Sequence, residues 1–283
     1  MWSLTRRAQE SEPLRDMMLE ALKLMSGLER LSVTAVTSQE GVLVAFHLSS
    51  LTFPQLVVCQ IRMNKPSPVD TVTSFLGRHP TITHLGLVWA SPGPISLPNL
   101  RLYEGPVESI PALVTSNLAG ARLRWMEPGL SIDEIVIALN SLTDSSRPFV
   151  SSHDDHSKQY RAFLPSLARH MPHTTSLQIR GSDDVISDEA ITYISECLPQ
   201  LTRLLHLSVE QLPNNPTRLS PGDVGIDGSE VWRLWADACP TLEAYCFLDS
   251  AWRKVNETWR EFPVEDFWAL AGFSEFEKVY GLV

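Results

Sequence analysis

The feature that most constrains this chain is a phrase that recurs along it, a corner residue followed by apolar positions spaced L-x-x-L-x-L. It is seen in HPTITHLGL (Ile82, Leu85, Leu87), MPHTTSLQI (Thr174, Leu177, Ile179), FPQLVVCQI (Leu56, Cys59, Ile61) and CPTLEAYCF (Leu242, Tyr245, Phe247). LLHLSV adds Leu204, Leu207 and Val209, LPNLRL adds Leu97, Leu100 and Leu102, and GLERLSV adds Leu28, Leu31 and Val33. LAGARLRW is a degenerate copy through Leu118, Ala121 and Leu123. The first positions fall at 28, 56, 82, 97, 118, 174, 204 and 242. Several intervals are 26 to 30 residues, and the 56-residue gap after Leu118 is twice 28, with a weak copy at Pro148-Phe149-Val150 inside it. That period is the one at which a leucine-rich repeat supplies one strand and one helix per unit.

Helical patterns fill the intervals. Residues 13–26 place Leu14, Met18, Ala21, Leu22 and Met25 on one face, behind a Ser11 cap. Residues 132–142 place Ile132, Ile135, Val136 and Leu139 on one face, with Ser131 and Glu134 spaced as a capping box. Residues 157–170, 187–197 and 229–238 follow the same pattern, and DSAWRKVNETWREF reads as a further helix-like run. Proline then follows helix after helix, at His79-Pro80, Met171-Pro172, Leu198-Pro199 and Cys239-Pro240. Proline cannot continue a helix and biases its predecessor to extended geometry, so it marks the corner into the next strand. A chain with 38 leucines and 20 prolines but only 14 glycines is thereby explained.

One such unit cannot bury its strand leucines alone, so neighbours must stack into a continuous core. A doubly wound α/β domain would also alternate strand and helix, but its strands read as unbroken apolar runs, and these alternate. The expected fold is therefore an α/β leucine-rich-repeat-like solenoid, with a parallel sheet on the concave face and helices on the convex face. Residues 1–283 form one irregular array, with 1–36 as N-terminal repeat or cap, 213–228 as a loop insertion and 249–283 as a C-terminal cap. Five of the eight tryptophans (Trp232, Trp235, Trp252, Trp259, Trp268) lie in the last 52 residues. They read either as the layer that seals the last repeat or as a docking hot spot.

Charge narrows the partners. With 23 Lys+Arg against 33 Asp+Glu the chain carries −10 at pH 7, which repels phosphates and argues against nucleic acid. Cys59, Cys197, Cys239 and Cys246 form no CxxC pair and read as thiols of a reducing compartment, cytoplasmic or nuclear. No apolar run opens the sequence, and the uncharged stretches 41–61 and 79–100 are broken by polar residues and prolines, so no membrane span is expected.

Enzyme motifs are sparse. GxGxxG, GxxxxGK[ST], GxSxG and HExxH do not occur. The GDVGIDG loop lacks a phosphate-loop lysine. His153-Asp154-Asp155-His156 is the one weak metal candidate, with His153 and His156 three apart, and it carries the alternative reading of a hydrolase or metal-dependent enzyme. Asp183-Asp184 and Asp188-Glu189 read as a solvated loop and a helix N-terminus. No catalytic residue and no cofactor is assigned.

The succession HPTITHLGL, ISLPNLRLYEGPVESIPALV, SIDEIVIALNSL, LPSLARHMPHTTSLQI, WADACPTLEAYCF and WRKVNETWREF, over roughly residues 50–262, resembles the leucine-rich-repeat region of fungal F-box-type proteins. In that family an F-box module docks on the adaptor of a cullin ubiquitin ligase while the repeats recruit a substrate. The resemblance implies a protein-interaction scaffold, the substrate-recognition part of such a receptor. No LPxE-type segment precedes the first repeat, so adaptor docking is expected only where an F-box lies upstream.

Alternation along the strands then places the binding surface. Side chains flanking the inward pairs face out of the open sheet. The expected partner-binding strip is His84, Arg122, Arg124, Ser176, Gln178, Arg180, His206, Glu210 and Leu248, with Arg180 beside Glu210 and able to pair with it.

Overall fold

The structure, a computed structural model, describes residues 2–4, 17, 20–35, 48, 50–63, 69–88, 93–125, 131–155, 159–181, 186–212 and 228–276. His156, Asp183-Asp184, the insertion at 213–227 and residues 13–16, 18 and 19 of the first expected helix lie outside the described residues.

A 12-stranded sheet runs through the molecule, nearly all of it parallel. Its strands are β1 (Trp2–Leu4), β2 (Arg30–Ala35), β3 (Val58–Met63), β4 (His84–Leu87), β6 (Leu102–Pro106), β8 (Gly120–Trp125), β9 (Phe149–Asp155), β10 (Thr174–Gly181), β11 (His206–Gln211), β12 (Ala244–Phe247), β13 (Ser250–Val255) and β14 (Thr258–Phe262). Spatial order is chain order throughout, and only β13 and β14 run antiparallel to their neighbours. The strands that carry HPTITHLGL, LAGARLRW, MPHTTSLQI, LLHLSV and CPTLEAYCF all lie in this sheet and are mutually parallel.

Register aligns the repeat phrase from strand to strand. One inward ladder runs Leu31, Cys59, Leu85, Tyr103, Ala121, Ser151, Leu177, Leu207 and Tyr245. The next runs Val33, Ile61, Leu87, then Leu123, His153, Ile179, Val209 and Phe247. The LPNLRL phrase is set in a different frame from the one expected. Tyr103, not Leu102, pairs with Leu85 and is fully buried, so the unit starts at Leu100. With that frame the uneven steps around Leu97 become equal steps of 18, from Ile82 to Leu100 and from Leu100 to Leu118. Eighteen residues leave no room for a ten-residue helix between strands. These units cross back instead through the short strands β5 (Ile95–Ser96) and β7 (Leu113–Val114), which pair with each other, and a 3-10 turn at Val107–Ala112.

Helices α1 (Val69–Gly77), α2 (Ile132–Ser141), α3 (Tyr160–His170), α4 (Asp188–Cys197) and α5 (Gly228–Ala238) pack on the leucine face and share one core with the ladders. Their ends follow the sequence. Ser131 N–H donates to Glu134 Oε2 at 3.2 Å, and Ser187 Oγ accepts from Ala190 N–H at 3.3 Å at the start of α4. At the His79-Pro80 corner, His79 Nδ1–H donates to the Phe75 carbonyl (2.6 Å) and Nε2 accepts from Phe53 N–H (2.8 Å). Burial lowers the pKa of this ring, and the neutral tautomer ties the helix end to the preceding segment.

The run DSAWRKVNETWREF is a β-hairpin, not the helix its Trp spacing suggested. Asn256 and Glu257 both adopt positive φ (50° and 61°), the two-residue turn that matches the twist of paired strands. Trp252 and Trp259 then fall on the same face and pack on Tyr245, with ring centroids 4.9 and 5.3 Å away. Two aromatic positions that fit helical spacing fit cross-strand pairing equally well, and burial against Tyr245 decides for the strands. After the hairpin, α6 (Val264–Ala271) and residues through Phe276 turn back over the other face of the sheet. Among the described residues, no helix is long and apolar enough to cross a membrane.

Candidate functional site: the polar face of the sheet

The side of the sheet opposite α1–α5 carries three polar rows. The first runs Arg30, Val58, His84, Leu102, Gly120, Val150, Ser176, His206, Ala244 and Arg253. The second runs Ser32, Gln60, Gly86, Glu104, Arg122, Ser152, Gln178, Ser208 and Cys246. The third holds Thr34 beside Arg62, then Pro106, Arg124, Asp154, Arg180 and Glu210. Every residue of the expected binding strip lies in these rows except Leu248. Leu248 follows β12, is buried, and takes a positive φ of 55°.

The strip is not the open surface expected. Arg122, Ser176, Gln178 and His206 are all buried. The chain's own C-terminal segment covers them. Phe267, Ala271 and Phe273 form a second apolar cluster with Ala244, Cys246 and Ala251, and Val150 packs against it. Arg122 places its guanidinium 4.9 Å from the centre of the Phe276 ring. Trp268 Nε1–H donates to Glu210 Oε1 at 3.4 Å. Small residues beneath the helix make this possible, because a Cβ at Gly120 would come within 3.2 Å of Phe276. Ala244, Cys246 and Ala251 likewise present small side chains to the C-terminal segment.

Lateral hydrogen bonds link the buried polar row. Ser32 Oγ–H donates to Gln60 Oε1 (3.0 Å), and Ser152 Oγ–H donates to Gln178 Oε1 (2.7 Å). Gln178 Nε2–H donates to Glu210 Oε1 (3.1 Å), which also accepts from Ser208 Oγ–H. Ser176 Oγ lies 3.0 Å from His206 Nδ1. Arg180 sits in register beside Glu210, but its Nε binds Asp154 Oδ1 on the other side at 2.6 Å. Glu210 is already an acceptor for Gln178, Ser208 and Trp268, so Asp154 offers the emptier carboxylate. Arg124 reaches across β6 to the Leu87 carbonyl.

Glu104 is the residue that the out-of-frame reading of LPNLRL concealed. It is buried in the middle row, its Oε2 has no hydrogen-bond partner among the described residues, and burial lifts its pKa to about 7 against the pull of Arg122 and Arg124. A frame that puts Tyr103 inward puts Glu104 on the polar face, so alternation alone could have found it.

His153 faces the opposite way, into the core. Trp125 Nε1–H donates to its Nδ1 (2.9 Å), and an indole nitrogen can only donate. The proton therefore sits on Nε2, 2.8 Å from Ser151 Oγ. The ring stacks on Phe163 with centroids 4.3 Å apart, and burial drives its pKa down to about 3. Its one lone pair is already used, so His153 is neither a metal ligand nor a base, which corrects its place as a metal candidate. Asp155 Oδ1 and Oδ2 accept from the Gln159 and Tyr160 amides and anchor the start of α3. Among the described residues, no three His, Cys, Asp or Glu side chains are grouped to hold a metal ion.

Compared with protein-family models and with curated proteins, the chain matches none.

Proposed function

We propose that this chain is a leucine-rich-repeat-type solenoid whose sheet forms the concave face, and that it works as a protein-interaction scaffold in the cytoplasm or nucleus. The observation that carries the reading is the strand order. Twelve strands lie side by side in chain order, with a largely leucine-type apolar ladder on one face and rows rich in polar side chains on the other. That is how stacked repeats present an extended binding surface. The C-terminal segment takes up the half of that surface from β8 onwards, so the partner is assigned to the first half. Ser32, Thr34, Arg62 and His84 are half-exposed there and suit a polar protein surface. In the F-box-type version of this reading the partner is a ubiquitin-ligase substrate.

A photo-crosslinking amino acid placed at Thr34 or His84 of the full chain should capture a partner polypeptide from native lysate. The same group at Ile137, exposed on the helix face, should not. Equal capture from Ile137, or none from either strip position, would overturn the assignment of the surface. Recovery of cullin-ligase subunits with the partner tests the receptor version separately.

A further inference from the structure

The last two strands carry a charge arrangement that folding does not explain. Arg253 on β13 and Arg260 on β14 are directly opposite each other in the antiparallel register. Both are exposed, on the same face as the polar rows. Neither makes an ion pair among the described residues, whereas nearby Lys254, on the other face of β13, binds Glu257 at 2.8 Å. Like charges directly across a strand pair oppose folding. A charged outer strand protects a sheet edge, which accounts for Arg260 but not for Arg253 one strand further in. The doublet also stands out against a chain of net charge −10.

We infer that Arg253 and Arg260 form a docking point for an acidic, extended protein segment, apart from the surface assigned above. Each guanidinium is a rigid fork that takes one carboxylate through two parallel hydrogen bonds. Opposed residues of an antiparallel pair lie ~4.5–5.5 Å apart at Cα. Alternate residues of an extended chain lie ~6.8 Å apart, with side chains on the same face. Two carboxylates in a Glu-x-Glu segment therefore match the two forks, and their charge removes the repulsion between them. Two arginines on an acidic molecule give too few phosphate contacts for nucleic acid.

The test uses the full chain and a fluorescein-labelled peptide of alternating glutamate and glycine, read by fluorescence anisotropy. The controls are the glutamine counterpart and a single-stranded oligonucleotide of equal charge. Glutamate peptide should bind, more weakly at about 200 mM than at about 50 mM salt, and the glutamine peptide should not. Arg253→Gln and Arg260→Gln should each weaken binding about tenfold or more, while Lys254→Gln changes it little. A double Arg→Lys variant keeps the charge but loses the forks, and should bind less well than the native chain. The Gln variants should melt no lower than the native chain, since they relieve repulsion. The inference is overturned if the glutamate peptide fails to bind, if the oligonucleotide binds as well, or if the double Gln variant binds like the native chain.

Discussion

Trp125 donates its indole N–H to Nδ1 of His153 at 2.9 Å across neighbouring strands, which fixes the imidazole as its Nε2–H tautomer inside an aromatic stack with Phe163. Its folded pKa is about 3, against an ordinary value of 6.5. Protonation is thus favoured in the unfolded chain, and the contribution of His153 is complete above pH 6.5 and lost as pH falls towards about 3. His79, His173 and His206 shift in the same direction by burial. Urea midpoints should therefore drop steadily below about pH 6.5. His153→Phe should flatten this acid limb, and should cost ~1–3 kcal/mol near neutral pH by orphaning the Trp125 N–H.

Glu104 gives the opposite slope. Its folded pKa of about 7 lies above the ordinary 4.5, so its contribution is complete below pH 4.5 and is lost as pH rises to about 7. Glu104→Gln keeps the shape and removes the charge. It should raise stability near pH 8 by up to ~3 kcal/mol and leave stability near pH 4 almost unchanged. A variant less stable than the native chain at pH 8 would mean that Arg122 and Arg124 need the carboxylate more than its burial costs.

Gly105 occupies the inward position between Leu87 and Leu123 without a side chain, because the Tyr103 ring lies over it and Tyr103 O–H donates to the Pro106 carbonyl at 3.0 Å. A Cβ there would come within 2.7 Å of Tyr103 Cζ and 2.9 Å of the Leu87 carbonyl. Gly105→Ala should therefore destabilise by ~1–3 kcal/mol through overpacking, seen as a lower melting temperature. Tyr103→Phe, which keeps the ring and loses the hydroxyl, should cost less, ~1 kcal/mol.

How far the sequence spoke for the structure differs between the two faces. Leucine spacing located the inward ladder and the helix corners, since burial of Leu85, Leu177 and Leu207 has one periodic solution. It misplaced one unit because LPNLRLY contains two overlapping leucine frames, and only pairing with Leu85 chooses Tyr103 over Leu102. It misread the hairpin because the spacing of Trp252 and Trp259 fits a helix as well as a strand pair, and Asn256-Glu257 is a weaker turn signal than Asn-Gly. The exposure of the polar face was beyond local reading, because its cover comes from Phe267 to Phe276, more than a hundred residues from Arg122 and Val150. The partner of Arg180 was undecidable from register alone. Strands on both sides offered a carboxylate, and the structure pairs Arg180 with Asp154 while Glu210 Oε1 accepts from Gln178, Ser208 and Trp268.

That pairing changes what charge reversal at Arg180 would do. The Arg180 and Asp154 side chains are only 13% and 11% exposed. Arg180→Glu would set two carboxylates together in a poorly hydrated place, so it cannot probe partner binding with the fold intact. Removing one member of a buried pair leaves the other charge uncompensated, at a cost of ~3–5 kcal/mol, whereas replacing both with apolar residues of similar volume is often neutral. Arg180→Met should thus destabilise by ~3 kcal/mol, Asp154→Leu by a similar amount, and the double variant by much less than their sum. Denaturant unfolding of the four proteins closes the cycle. A coupling energy near zero would show that each side chain is held by its other neighbours, and that the 2.6 Å contact contributes little to the polar face.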